Sequence, residues 1–512
     1  MAKIAPDGYL INAILVNGQT PGPVLSAQKG ERFQINVTDL LVDESMNKST
    51  SVHWHGIKQH GSADVDGTAM VTQCPIASEH SFTYDFTPAN QSGSFWYHSH
   101  FQLQYCEGLR GALVIYDPLD PYRSLYDTRP SLLSWTGRII STFTTLTEPF
   151  GERYHVNDYD VGFTDTPASI LINGAGRYEG GPPVPLSVVT VVAGGRYRIR
   201  LMNMACKSNF VFTIDNHIFT VIEADSDYTT PLEVDSIQIL AGQRYSFILV
   251  ANQPIDNYWI HAMPNYDTTF AGGLNSAILR YAGAPTLDPV YRNWNTTNPL
   301  LEQNLHALVD PAAPGAADTG AADVTINLES VWDDNLRFLI NGYTYTPPST
   351  PVLLQILNGD LNASELSPNG SVYTLPANKT IELSIPGGQP EGPHPFHLHG
   401  HAFSVVRSAG SDVYNYNNPV RRDTTSNGVS GDNVTIRFRT DNPGPWLFHC
   451  HIDFHLAEGM AVVFAEDTKD IASDVNVTST WKQLCSTYDA LSPTEQIVER
   501  HRRHHKKHQI GH

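Results

Sequence analysis

Four His-x-His pairs stand in two matching blocks of this 512-residue chain. His53-Trp54-His55-Gly56 near the start matches His397-Leu398-His399-Gly400 near the end. Likewise, Gly93-Ser94-Phe95-Trp96-Tyr97-His98-Ser99-His100 matches Gly444-Pro445-Trp446-Leu447-Phe448-His449-Cys450-His451. Side chains alternate across a strand, so histidines at i and i+2 share a face at a fixed separation, as two ligands of one metal cluster do. A single pair says little. Two pairs in each of two blocks point to end domains that are copies of one another and that hold metal. Asp256-Asn257-Tyr258-Trp259-Ile260-His261 resembles the same strand without the paired histidines, as in a middle copy that holds no metal.

Parity then separates two sites. Cys450 lies between His449 and His451 and faces away from both, and His394, an odd number of residues before His397, can face away from its pair. His455 follows five residues after the cysteine. Two imidazoles, one soft thiolate and a weak axial ligand make a blue-copper centre, and Met460 is placed to be the axial ligand. The eight remaining imidazoles suffice for three further metal ions with positions left open for oxygen. Zinc competes as the metal, but this donor set exceeds what one zinc site needs.

The rest of the chain reads as mainly β. Short alternating runs such as Arg32-Phe33-Gln34-Ile35-Asn36-Val37 and Ser81-Phe82-Thr83-Tyr84-Asp85-Phe86 read as half-buried strands, and long helical periodicity is scarce. Repeated antiparallel sandwich or barrel domains are expected. Linkers are expected near Asp117 to Pro121 and from Gly283 to Pro299, dividing the chain at 1–120, 121–290 and 291–490, with a basic, His-rich tail at 491–512 read as disordered. A formal charge of −20 disfavours nucleic acid and anionic membranes as partners, and no apolar run reaches the length of a membrane span.

The chain as given opens without an apolar leader, yet nine Asn-x-Ser/Thr sequons occur, at Asn36, Asn47, Asn90, Asn295, Asn362, Asn369, Asn378, Asn433 and Asn476. A secreted, extracellular glycoprotein whose leader has been removed is expected. Of the five cysteines, Cys450 is reserved for metal, which leaves Cys74, Cys106, Cys206 and Cys485 as disulfide candidates.

Over about residues 10 to 490 the sequence resembles the multicopper oxidases, specifically laccases of the fungal type. The motifs that carry the resemblance are His-Trp-His-Gly, Trp-Tyr-His-Ser-His, His-Pro-Phe-His-Leu-His-Gly-His and His-Cys-His-x3-His-x3-Gly-Met. The resemblance implies three consecutive cupredoxin-like Greek-key β-barrel or sandwich domains, with four copper ions. Type 1 copper would take His394, Cys450 and His455 with axial Met460; type 2, His53 and His397; the type 3 pair, His55, His98, His100, His399, His449 and His451. It implies disulfides Cys74–Cys485 and Cys106–Cys206. It also implies a monomer that takes single electrons from small phenols or aryl amines near His455 and reduces O2 to water, lignin breakdown being one possible use.

Reducing oxygen consumes protons, and the resemblance puts Asp66 and Asp453 where carboxylates serve that end; orienting a ligating histidine is the alternative for each. Two positions depart from the family pattern. Met460 stands where white-rot laccases carry Leu or Phe and points to a low potential. Lys207 stands where an acid usually accepts the phenol's proton, which a charged lysine cannot do. Phe163, Asp165 and Tyr266 are expected around the substrate pocket, with Asp165 a candidate replacement for that acid. His401 is read as a hydrogen-bonding residue. The competing readings are a ferroxidase, a bilirubin-type or ascorbate-type oxidase, and, from another class, a non-catalytic copper-binding protein.

Overall fold

The computed structural model describes residues 2–43, 46–88, 90–127, 169–177, 180–207, 209–264, 274, 276–292, 295–334 and 337–496, and the backbone of strand Arg138–Thr145. Strands dominate; the longest described helix is Ser479–Asp489, with eleven residues.

One strand order is repeated three times along the chain. Near the start, Leu25–Gln28 pairs in parallel with Arg110–Tyr116, which is flanked by Gly93–Ser99 and then Val52–His55. In the middle, Val188–Val191, Ser276–Tyr281, Asn257–Pro264 and Phe210–Ile214 follow the same order, and near the end so do Val372–Leu375, Ala461–Glu466, Gly444–Cys450 and Pro395–Leu398. Each time the first strand lies parallel to the last, so the fold is three cupredoxin-like domains. The strand beginning at Asn257 occupies the place of Gly93–Ser99 and Gly444–Cys450, as its sequence leads one to expect. Further strands, including the six-stranded sheet around Arg196–Asn203 and the five-stranded sheet around Asn433–Arg439, supply additional layers.

Burial follows sequence pattern. Phe33–Thr38 alternates between covered and exposed residues, whereas every residue of Gly444–Cys450 is buried, as expected of a strand covered on both faces. The core runs continuously through all three domains and includes Trp54, Trp96 and Trp446.

Two disulfides, Cys74–Cys485 and Cys106–Cys206, close long loops, the first joining positions 411 apart. Helix Ser479–Asp489 is started by Thr478, whose hydroxyl accepts from the Trp481 amide at 3.1 Å. Its buried face is Trp481, Leu484 and Tyr488, and the Trp481 indole donates to the Thr72 carbonyl. Residues Pro493–Gln496 form a further short helix, so the expected tail is ordered at its start; from 497 on it lies outside the described residues.

Candidate metal centre

The repeated strand order brings the histidine pairs together. Antiparallel pairing sets His53 opposite His98 in the first domain and His397 opposite His449 in the last. The two domains then face each other: the His53 and His399 rings stack at 3.9 Å between centroids, and His55 and His397 at 3.8 Å. Nε2 of His399 and Nε2 of His449 are 3.2 Å apart, and Nε2 of His451 lies 3.1 Å from Nδ1 of His55. Groups His53/His55/His98, His53/His397/His399 and His100/His399/His449 each offer ligand atoms within 4.8 Å of one another. All eight therefore converge between the end domains.

Backbone carbonyls select the tautomer. Nδ1 of His53, His98, His397 and His449 lies 2.8 to 2.9 Å from the carbonyl of Asp66, Ser99, Asp423 and Cys450, respectively. A carbonyl only accepts, so each Nδ1 carries the proton and each Nε2 presents a lone pair. Among the described residues, Nε2 of His53, His98, His100 and His397 is buried without a hydrogen-bond partner. Buried polar atoms are rarely left so, and a shared cation is what this donor set fits. Burial, reinforced by neighbouring imidazoles, holds His98, His100, His399, His449 and His451 well below the ordinary histidine range, so the rings stay neutral and able to ligate.

His55 is turned the other way: its Nε2 lies 3.1 Å from Oδ1 of Asp423 while its Nδ1 faces the cluster. Asp423 is in turn held by Arg244 through two bonds of 2.6 and 2.7 Å. Burial works against the Asp423 charge, but Arg244 and His55 outweigh it and keep the carboxyl well below its usual range. Asp66 plays the matching part on the other side. Its Oδ2 lies 3.0 Å from His399 Nδ1 and accepts from Thr68 Oγ1 at 2.7 Å, and its Oδ1 lies 3.2 Å from His53 Nδ1.

The second donor set lies on the far face of the Cys450 strand. Sγ of Cys450, the free cysteine, is 3.6 Å from Nδ1 of His394 and 3.5 Å from Nδ1 of His455, and the two Nδ1 atoms are 3.0 Å apart. Burial pushes the Cys450 thiol up, so a thiolate there needs a metal cation beside it. Met460 is fully buried, and its backbone amide donates to the His455 carbonyl while its carbonyl accepts from the Cys450 amide.

His455 Nε2 points away from the thiol, 3.6 Å from Oε2 of Glu391, and Lys207 Nζ stands 3.5 Å from the same oxygen. The His455 imidazole facing it, with Lys207 adding to it against burial, holds the Glu391 carboxyl at about 2. Burial, with Glu391 nearby, pushes Glu458 up to about 8.

Asp453 is buried beside the Cys106–Cys206 disulfide, its amide donating to the Cys206 carbonyl at 2.9 Å, and burial raises its carboxyl well above the ordinary value. His401 Nε2 lies 2.7 Å from Oε2 of Glu466, away from both donor sets. Phe163, Asp165 and Tyr266 lie outside the described residues. Sequence reasoning missed Asp423, Arg244 and Glu391, because none belongs to a spaced motif and only chain crossing brings them to the site.

Models of the multicopper oxidase family match residues 1–120, 144–284 and 345–470. Laccase-1 of Trametes villosa is 52% identical over 506 residues, covering 97% of this chain and 94% of its own. A laccase of Pycnoporus cinnabarinus is 52% identical over 503 residues, covering 96% and 93%. Among solved structures, the laccase of Botrytis aclada superposes with a TM-score of 0.81 at 31% identity, covering 97% of this chain and 92% of its own. Fet3p, a multicopper oxidase that functions in iron import, gives 0.82 at 26% identity, covering 99% and 98%. Fold, converging imidazoles, thiol site and full-length likeness agree: this chain belongs to the multicopper oxidase family, as an oxidoreductase of the fungal laccase type.

Proposed function

We propose that this laccase takes single electrons from phenols or aryl amines and reduces O2 to water, using four copper ions. His394, Cys450 and His455, with Met460 as a weak fourth donor, would hold type 1 copper; His53 and His397 would hold type 2, and His55, His98, His100, His399, His449 and His451 would hold the type 3 pair. Bound copper supplies one-electron acceptance at the thiolate and reduction of oxygen among the imidazoles. The observation that carries this reading is that Cys450 is one peptide bond from both His449 and His451 while its sulfur faces the opposite donor set. The two sites thus share a direct covalent link.

The protein's own groups do the remaining work. His455, 2% exposed, is the residue through which electrons enter. Asp453, held protonated by burial, is the proposed proton source, and Asp66, hydrogen-bonded to His399 Nδ1 and 3.2 Å from His53 Nδ1, is the proposed proton relay. Lys207 and the Phe163, Asp165 and Tyr266 positions are proposed to line the substrate pocket. The thioether of Met460 would stabilise oxidised copper, which makes this a low-potential enzyme. The chain is proposed to divide at 1–120, 121–290 and 291–490 and to act as a secreted monomer. Seven of its nine sequon asparagines are exposed, Asn47 and Asn433 being partly covered.

The test is a copper count with visible and spin-resonance spectra, together with oxygen uptake on a methoxyphenol. A colourless protein, or one that consumes no oxygen, overturns the reading. Fe(II) is the donor to compare, because Glu391 places a carboxylate near His455; the Lys207 ammonium beside Glu391 counts against a cationic donor.

A further inference from the structure

The acid that the family pattern sets at position 207 is absent here, and the structure shows what stands in its place. Lys207 turns its ammonium onto Glu391, which comes from the segment leading into His394. The same Glu391 oxygen faces His455 Nε2. His455 directs Nδ1 inward to Cys450 and His394, so Nε2 is its outward edge.

Exposure rises in that direction: His455 is 2% exposed, while the side chains of Lys207 and Glu391 are 14% and 30% exposed. A donor molecule arriving at the Nε2 edge therefore meets the Glu391 carboxylate. That carboxylate has about four lone-pair positions, of which the ammonium and the imidazole engage only part. Glu391 also holds a backbone φ of 60°, a left-handed conformation that favours glycine. A glutamate kept there against its backbone preference is the kind of local strain that clusters at binding sites.

We propose that Glu391 is a substrate-binding residue that accepts the hydrogen bond of a phenol O–H or aryl-amine N–H lying against His455 Nε2, with Lys207 as the positioning residue that holds it there. The inference rests on the laccase activity proposed above and deepens it. Specificity is its consequence: donors carrying an O–H or N–H at the oxidised position are preferred to those of similar size that lack one.

The experiment compares copper-loaded wild type, Glu391→Gln, Glu391→Asp and Lys207→Met on 2,6-dimethoxyphenol and on N,N,N′,N′-tetramethyl-p-phenylenediamine, which has no N–H. In Glu391→Gln the ratio of kcat/KM for the phenol to that for the diamine falls about tenfold, as expected when one hydrogen bond to a charged acceptor is lost. KM for the phenol carries the loss, and the blue absorption keeps its position. Glu391→Asp recovers part of the ratio. Lys207→Met shifts the ratio the same way, about threefold, and decides the matter if Glu391→Gln fails to fold. An unchanged ratio, or equal losses on both donors with an altered blue band, overturns the proposal, the latter because Glu391 would then only orient His455. Wild type that consumed oxygen with neither donor would overturn the laccase reading itself.

Discussion

Nε2 of His55 lies 3.1 Å from Oδ1 of Asp423, although 368 positions separate them in the chain. The same carboxylate receives both arms of Arg244 from the middle domain, so a single side chain ties a histidine of the first domain to all three. Removing one partner of a buried, hydrogen-bonded pair leaves the other charge uncompensated. Asp423→Asn is expected to lower stability by about 3–5 kcal/mol in denaturant unfolding, and the copper content of the purified protein with it. Asp423→Leu combined with Arg244→Met is expected to lose less stability than Asp423→Asn alone. A double variant as unstable as the sum of its singles would show that the two residues do not act as a pair.

Cys450 supplies the thiol of the His394/Cys450/His455 group. Cys450→Ser is expected to abolish the blue absorption and to lower the copper count by one per chain, because the eight imidazoles of the other set remain. Survival of the blue band in this variant would remove the thiolate from the site.

Met460 has its backbone pinned to both Cys450 and His455, so a leucine at this position keeps the loop and loses only the thioether. Met460→Leu is expected to raise the midpoint potential of the blue copper in a redox titration. No rise, or a wild-type potential already as high as in Leu- or Phe-type relatives, contradicts the weak-ligand role.

Asp39 offers a pH dependence remote from the metal site. It is 2% exposed, its Oδ1 accepts from the Leu41 amide at 2.9 Å, and burial pushes its carboxyl up to about 7. The folded protein therefore keeps a proton that the unfolded chain releases near the ordinary carboxylate value, and stability falls as pH rises from about 4 through about 7. Asp39→Asn stays neutral. It is expected to match wild type near pH 4 and to exceed it by up to about 4 kcal/mol at pH 8, at about 1.4 kcal/mol per pKa unit. Parallel stability curves for the two proteins between these pH values would place the group elsewhere.

Withdrawing copper is expected to weaken the joint between the first and last domains more than either domain alone. The imidazoles cross that joint, and ligand binding to the folded state adds to its stability. Thermal unfolding of copper-free protein should show a lower midpoint that is restored on reloading; equal midpoints would mean that the joint stands without metal.

Much of the site could be read from spacing. His-x-His pairs announced their own strand geometry, since a two-residue repeat on a strand leaves little choice of face, and Cys450 between His449 and His451 separated two donor sets by parity alone. The repeat also marked the middle copy, whose strand from Asn257 holds the place of the ligand strands. The disulfide pairing came from the family resemblance, and the structure bears it out.

Other features were settled only where the chain meets itself. Which ring nitrogen of each histidine faces inward depends on carbonyls such as those of Asp66 and Asp423, and His55 is reversed because one distant carboxylate takes its Nε2. The pairing of Lys207 with Glu391, 184 residues on, exists only in the folded chain. Local sequence determines periodicity, and periodicity determines which side chains share a face. Partnerships between buried charges depend on through-space distances of a few ångströms that only folding creates.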